Sequence, residues 1–134
     1  MSSIKSYKDL IVWQKSIELV GEVFKLTSNF PKTETYGIVA QMRRAAVSIP
    51  SNIAEGSGRR FSNEWSQFYS FAYGSTLELE TQLIISRDLR LAPKESFIQS
   101  FNLIEEVSKM IWTISHNIRA NRESMKIERS KASI

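Results

Sequence analysis

The stretch YGIVAQMRRAAVSIPSNIAEGSGR, from Tyr36 to Arg59, decides the fold of this chain. Apolar side chains recur in it at steps of three and four residues, at Ile38, Met42, Ala45, Ile49 and Ile53. This spacing places them on one face of an amphipathic helix. Pro50 lies inside the pattern and would cost about 3 kcal/mol in a regular helix. Because the apolar period continues past the proline, we expect helix two to be kinked near Pro50 and not to end there.

A first helix is expected from about Tyr7 to Ser28, ahead of the Asn29-Phe30-Pro31 segment. It carries two apolar stripes. The first contains Leu10, Trp13, Ile17, Val20 and Phe24, and the second contains Val12, Leu19, Val23 and Leu26. Thr33 is the expected N-cap of helix two, and Gly56 and Gly58 suit the end of that helix.

The third and fourth helices also show helical periodicity. Helix three is expected to begin at a Ser62 cap and to fade near Arg90. Its main stripe contains Trp65, Phe68, Ala72, Leu79 and Leu83, and a second contains Phe71, Leu77, Ile85 and Leu89. Helix four alternates steps of four and three at Phe97, Phe101, Ile104, Ser108, Ile111, Ser115 and Ile118. No strand pattern competes with this interpretation.

Long helices joined by short connections predict an all-α, antiparallel, up-down-up-down four-helix bundle. The bundle is expected to occupy residues 1–120. Residues 121–134 are polar and basic, and we expect them to form a flexible C-terminal tail.

The composition indicates a cytoplasmic bacterial protein of one domain. The chain has 134 residues, 42% of them hydrophobic, and contains three Trp but no Cys. Disulfides and thiolate metal sites are therefore excluded, and a reducing compartment is the default. The N-terminal residues MSSIKSYKD lack the apolar core of a signal peptide, and no apolar run reaches membrane-spanning length.

The net charge of +4 is unevenly distributed along the chain. Residues 1–60 contain nine basic and five acidic side chains, whereas residues 61–118 contain four and seven. Residues 119–134 contain five basic and two acidic side chains. A basic first half and tail are typical of a nucleic-acid-binding surface. The alternative is that the acidic third helix only neutralises its basic neighbour.

Arg43 and Arg44 have two interpretations. They are candidate contacts to nucleic-acid phosphates, or they form interhelical ion pairs with Glu78 and Glu80 of the LELE segment. An antiparallel hairpin with its turn near Arg59 would place the two pairs of residues within about a turn of each other. We favour the ion pairs, which would fix the register of the two helices more than they would stabilise them.

Gly56-Ser57-Gly58-Arg59-Arg60 precedes the start of helix three and is the best candidate anion site in the chain. Backbone amides, a helix dipole and the guanidiniums of Arg59 and Arg60 can hold a phosphate together. The alternative is a capped turn with solvated arginines. Near the C-terminus, Arg119 and Arg122 are further candidate phosphate contacts.

No combination of residues indicates catalysis. His116 is the only histidine and has no carboxylate or serine clustered with it in the sequence. We therefore expect no enzyme activity, no metal and no cofactor. Gly74 lies inside the helix-three pattern at a cost of about 1 kcal/mol relative to alanine, and close approach of another helix, within or between subunits, would explain it.

Three segments carry a resemblance to a known family. They are YKDLIVWQKS at Tyr7–Ser16, FPKTETYGIVAQMRRAAVSIPSNIAEGSGR at Phe30–Arg59, and QFYSFAYGSTLELETQL at Gln67–Leu83. In this order and spacing they resemble the four-helix-bundle proteins named after reading frames in intervening sequences of bacterial 23S rRNA genes. The resemblance implies a bundle fold and a ring-like homopentamer. The accessory variability protein of diversity-generating retroelements is similar at a greater distance.

These observations predict a non-enzymatic, oligomeric bundle that binds RNA or DNA through phosphate contacts. In a ring, each basic patch would be repeated, so weak contacts would add through avidity. The alternative function is a protein-interaction scaffold for a nucleic-acid-processing enzyme such as a reverse transcriptase.

Overall fold

The computed structural model describes the backbone of residues 6–132 and the side chains as far as residue 117. Its four α-helices are α1 (Ile11–Thr27), α2 (Ala40–Ser57), α3 (Ser62–Asp88) and α4 (Ile98–Ala132). Single short turns of 3₁₀ helix lie at Tyr7–Asp9, Lys32–Glu34 and Lys94–Phe97. No strand occurs in residues 6–132, so the prediction of an all-α four-helix bundle is confirmed.

Each helix packs mainly against its two neighbours, in the order α1, α2, α3, α4 and back to α1. Two hydrogen bonds fix the register of α2 on α3. Ser48 Oγ donates to Ser75 Oγ at 2.6 Å, and Ser86 Oγ donates to Met42 Sδ at 3.4 Å. The paired residue numbers run in opposite directions along the two helices, as the short connection between Ser57 and Ser62 requires.

Helix α2 begins irregularly. A 3₁₀ turn with Pro31 at its cap leads into a π-helical turn, Thr35–Val39, in which Gly37 has non-helical angles of φ −103° and ψ −113°. The prediction that Thr33 caps this helix is wrong, since no side chain caps the turn. Pro31 presets the backbone for the tight turn in place of a capping hydroxyl. The backbone break therefore lies at Gly37.

Pro50 lies within a continuous α2, as the uninterrupted apolar period indicated. Side chains bond to the carbonyls of the preceding turn. Ser51 Oγ donates to the Val47 carbonyl and Asn52 Nδ2 to the Ser48 carbonyl, both at 2.8 Å. The kink near Pro50 stays a prediction.

The core of α1 is formed by the second of its two apolar stripes, together with Ser16 and Thr27. Its buried apolar residues are Val12, Leu19, Val23 and Leu26. The first stripe faces outward: Trp13 and Val20 are half-buried, Ile17 is 44% exposed and Phe24 is 38% exposed. In α3 the second stripe is the exposed one, at Phe71, Leu77, Ile85 and Leu89. The single chain thus leaves the second stripe of α3 exposed, together with Ile17 and Phe24 of α1. The other residues of the first α1 stripe, Leu10, Trp13 and Val20, pack against the core.

Among the glycines, the close approach of another helix occurs at Gly56 and not at Gly74. A Cβ atom at Gly56 would lie 3.0 Å from Phe68 Cβ, 3.1 Å from Trp65 Cδ1 and 3.3 Å from Tyr69 Cδ2. Gly74 is exposed, with no atom of the described residues within 4 Å of such a Cβ. An interhelical contact at Gly74 within the monomer is therefore ruled out for the described residues, and contact between subunits stays a prediction.

Helix α4 has 35 residues and continues to Ala132. It is longer than the sequence pattern indicated, because the segment after Ile118 loses its apolar stripe but keeps residues with good helix propensity such as Ala, Arg, Glu, Met and Lys. The predicted division between a bundle at 1–120 and a tail at 121–134 stays a prediction. No helix in the described residues combines the length and apolarity needed to cross a bilayer.

We predict that Gly56→Ala destabilises the fold by about 1–3 kcal/mol, because the added methyl group overpacks the contact with α3. Gly21→Ala is the matched control. Gly21 lies on the exposed side of α1 with nothing within 4 Å of an added Cβ, so this variant should gain about 0.5–1 kcal/mol. Urea unfolding followed by circular dichroism measures both. Equal effects of the two substitutions would contradict the close packing at Gly56.

Candidate nucleic-acid interface

The connection between α2 and α3 presents the predicted Arg59-Arg60 pair at one end of the bundle. Gly58 ends α2 and Phe61 precedes α3 in an extended conformation, with φ −109° and ψ 141°. Ser62 is the first residue of α3 and does not cap it, so this prediction was wrong. No side chain caps the helix at Phe61, which leaves its first amides without a side-chain acceptor. Glu64, in the first turn, places a carboxylate where an anion would bind.

Arg59 is held in place by two neighbours. Its Nη2 atom lies 3.0 Å from Glu55 Oε2, and its guanidinium lies 4.6 Å from the centroid of the Phe68 ring. The ion pair is solvent-exposed on both sides, and such pairs contribute about 0–1 kcal/mol. Glu55 also compensates the charge of Arg59. This arginine is therefore well positioned, but only part of its charge is available to a phosphate.

Arg60 is exposed, and its guanidinium lies 6.0 Å from the centroid of the Phe61 ring. None of the ion pairs among the described side chains involves it. Phe61 itself is 60% exposed, and Phe71, whose ring meets the Phe68 ring edge-on at 5.9 Å, is 50% exposed. Two guanidiniums and three aromatic rings thus lie at one corner of the bundle.

Arg43 packs against α1 and does not pair with Glu78 or Glu80. Its Nε donates to Thr27 Oγ1 at 3.0 Å and its Nη2 to the Phe24 carbonyl at 3.4 Å. The guanidinium also lies 4.5 Å from the centroid of the Phe24 ring. Arg43 therefore joins the last turn of α1 to α2.

Arg44 is exposed and does not pair with Glu78 or Glu80 either. No ion pair, hydrogen bond or ring contact of Arg44 occurs among the described side chains, while Glu78 accepts a hydrogen bond from Gln82 Nε2 at 3.3 Å. The predicted ion pairs are wrong because Met42 and Ala45 direct the buried face of α2 inward. With about 100° between successive residues, Arg43 then points toward α1 and Arg44 toward solvent.

The similarity of the whole chain to known proteins identifies its family. The model of the 23S rRNA-intervening sequence protein family matches residues 8–113. The chain belongs to this family. The match includes α1, α2, α3 and the inner half of α4, and therefore all four arginines described above.

This chain is similar to a solved structure from Bacteroides thetaiotaomicron. That structure is of a protein of unknown function in the S23 ribosomal protein family. The TM-score is 0.71 at 20% sequence identity, and the alignment covers 78% of this chain and 98% of the other. At that identity the similarity shows the fold alone. No curated protein matches this chain.

Neither comparison indicates an enzymatic activity. In the described part of the chain, no cluster of three or more His, Asp or Glu residues could hold a metal ion. His116 stacks on Trp112 with 3.9 Å between ring centroids, on the exposed side of α4. The imidazole is thus engaged with a surface indole.

One part of the predicted basic surface stays a prediction, and the structure adds a cationic cluster that was not predicted. The side chains of Arg119 and Arg122 lie outside those that the structure describes. In contrast, Arg87, Arg90 and Lys94 line an open cavity at the end of the bundle opposite Arg59. This cluster was not predicted, because only the fold shows that the segment after α3 turns its cations toward one cavity. The segment RDLRLAPK, with three cations in eight residues, was the signal that could have found it.

The positions of the two neighbouring arginines predict different effects on stability. Arg43→Ala should lower the free energy of unfolding by about 1–2 kcal/mol, since it removes two hydrogen bonds and a ring contact. Arg44→Ala, the matched control, should change it by less than about 0.5 kcal/mol. Thermal and urea unfolding of the two variants measure the difference. A larger loss for Arg44→Ala would show that it has a stabilising contact.

Proposed function

We propose that this family member is a non-enzymatic, oligomeric protein that binds RNA or DNA through phosphate contacts. The observation that carries the proposal is the pair of exposed cations Arg44 and Arg60, which have no acidic partner among the described side chains. Exposed and uncompensated guanidiniums are available to phosphate oxygens, with which they form bidentate, charge-assisted hydrogen bonds.

The corner formed by Arg59, Arg60, Phe61 and Phe68 supports this proposal further. A guanidinium that lies over an aromatic ring keeps its N–H groups directed sideways, where they can reach an anion. Exposed rings beside cations also suit the stacking of unpaired bases. Arg59 would add less to phosphate binding than Arg60, because Glu55 already neutralises part of its charge.

Self-association is the second part of the proposal, and the exposed apolar side chains of α3 and α1 support it. Phe71, Leu77, Ile85 and Leu89 of α3 are 43–66% exposed, while α1 presents Ile17 and Phe24. Faces of this kind mark association sites. Different helices carry the stripes, which suits a head-to-tail contact between subunits. Five subunits is the number that the family resemblance implies. Such a ring would multiply weak phosphate contacts.

Nucleic-acid binding should depend steeply on salt. We predict that replacing both Arg44 and Arg60 by Ala weakens the binding of duplex DNA. The slope of log K against log salt should flatten by about 0.9 for each phosphate that the variant no longer neutralises. Fluorescence anisotropy with RNA and DNA over a salt series is the measurement. Lys109→Ala is the control, because Lys109 already pairs with Glu105 at 2.9 Å. Absence of binding to every nucleic acid at low salt would exclude this function.

Assembly should depend on the uncovered stripe of α3. Light scattering should give a mass five times that of one chain, and Phe71→Glu should reduce it by placing a charge in the apolar contact. Ile98→Glu is the control, since Ile98 is 57% exposed on α4 and outside both stripes. Circular dichroism should show that both variants stay helical. A monomeric wild-type protein at micromolar concentration would refute the proposed assembly.

A protein-interaction scaffold is the second candidate function, and an apolar groove between α1 and α2 favours it. The groove has a volume of about 290 Å³. It is lined by Tyr7, Trp13, Ile17, Val20, Val47, Pro50, Ser51 and Ala54. A groove of this composition fits the apolar face of a partner helix, as in helix-in-groove recognition. The partner in this case would be a nucleic-acid-processing enzyme such as a reverse transcriptase. If nucleic-acid binding fails in the salt series, the scaffold becomes the leading candidate.

A further inference from the structure

The end of α3 has an arginine in a backbone conformation that glycine normally provides. Arg90 has φ 58° and is the only non-glycine residue with positive φ among the described residues. Its N–H donates to the Arg87 carbonyl at 3.0 Å, and the Leu91 N–H donates to the Ser86 carbonyl at 3.1 Å. These two bonds form the Schellman motif that ends many helices, with the left-handed position usually occupied by Gly or Asn.

Arg90 lines an open cavity of about 930 Å³ between the ends of α1 and α3 and the start of α4. Asn29 of the α1–α2 connection lies on one side, and Lys94, at the beginning of the turn before α4, lies on another. The cavity is formed by Asn29 and by the continuous segment from residue 87 to residue 94. It is distant from Arg59 and Arg60, which belong to the α2–α3 connection at the other end of the bundle.

The charges around this cavity are unbalanced. Arg87, Arg90 and Lys94 line it together with one acidic residue, Asp88. Asp88 Oδ1 lies 3.2 Å from Arg87 Nε, so these two side chains form an ion pair. The Arg87 guanidinium also lies 5.2 Å from the centroid of the Phe101 ring on α4. Arg90 and Lys94 have no acidic partner among the described side chains.

The backbone adds to the positive potential at Lys94. The 3₁₀ turn Lys94–Phe97 leads directly into α4, so Lys94 lies at the amino end of a long helical segment, where the helix dipole is positive. Pro93 caps the turn without a side-chain hydrogen bond. Glu95 places a carboxylate in the same turn, so the positive charge at the cavity comes mainly from the side chains of Arg90 and Lys94.

We propose that this cavity binds a terminal phosphate group carried on a larger organic ligand, a class that includes free nucleotides and the 5′-phosphorylated end of a nucleic acid. A guanidinium and an ammonium beside a helix start match the charge and the acceptor geometry of a phosphate monoester. The cavity is within the size range of organic-ligand pockets and exceeds the needs of a single ion. Leu91 and Pro93 give it an apolar wall for the remainder of the ligand.

Ligand binding also accounts for an arginine at a position where glycine would be less strained. Left-handed backbone is costly for residues with a Cβ atom, and such strain is common at ligand-binding sites. If Arg90 served only to end the helix, glycine would do so at lower cost. Because glycine adopts this backbone without strain, the substitution Arg90→Gly removes the side chain and keeps the backbone conformation.

The test uses isothermal titration calorimetry of the full chain with adenosine 5′-monophosphate, and with one short RNA oligonucleotide carrying either a 5′-phosphate or a 5′-hydroxyl. We expect the wild-type protein to bind the monophosphate, or to bind the 5′-phosphate RNA more tightly than the 5′-hydroxyl RNA. A difference between the two RNAs identifies a nucleic-acid end as the ligand, whereas binding of the monophosphate without that difference identifies a free nucleotide. Failure to bind the monophosphate, together with equal affinity for the two RNAs, would overturn the proposal.

Arg90→Gly should weaken phosphate binding about tenfold while the midpoint of thermal unfolding stays the same or rises. Lys94→Ala should weaken phosphate binding several-fold without any backbone change. This variant tests the proposal if Arg90→Gly fails to fold. Lys109→Ala, on the outer face of α4, should bind like the wild type. Unchanged affinity in Lys94→Ala and in a folded Arg90→Gly variant would overturn the proposal. The site is separate from the Arg44 and Arg60 surface, so it can fail or succeed independently of the proposed function.

Discussion

The contact of Gly56 with α3 is the constraint on which the rest of the bundle depends. Because Gly56 lacks a side chain, α2 lies so close to Trp65, Phe68 and Tyr69 that an added Cβ atom would be 3.0–3.3 Å from them. Phe68, fixed by this contact, is in turn the ring over which Arg59 lies. Packing of the core thus determines where a cation appears on the surface. The candidate nucleic-acid corner is a direct extension of the helix–helix contact.

The sequence was sufficient for the fold because the apolar period of α2 continues through Pro50, and one buried face is enough to define a bundle helix. It could not decide which stripe of α1 is buried. Leu10 to Phe24 and Val12 to Leu26 both follow the helical period, and only packing against the neighbouring helices α2 and α4 selects the second. For the same reason Gly74 was a plausible contact point from sequence, although Gly56 is the position where two helices meet.

The candidate site was less predictable because its residues depend on neighbours far away in sequence. Arg43 and Arg44 are adjacent and chemically identical, yet one contacts Phe24 and Thr27 while the other is solvated. A rotation of about 100° between them accounts for the difference, but its direction is set by the core and not by the local sequence. The Arg90 cavity was not predicted because the positive φ of Arg90 leaves no mark in composition and the approach of Asn29 to residues 87–94 depends on the fold.

The interaction of Arg43 with α1 has a consequence for the cooperativity of the fold. Phe24 and Thr27 lie in the last turn of α1, and Arg43 donates a hydrogen bond to each of them from α2. The end of α1 can therefore fray only if Phe24 and Thr27 separate from the Arg43 guanidinium on α2. Helix ends normally open with little free energy, whereas this one is coupled to the packing of α1 on α2. The rate of amide hydrogen exchange in the last turn of α1 should accordingly resemble the rate in α2, and not the faster rate of a frayed helix end.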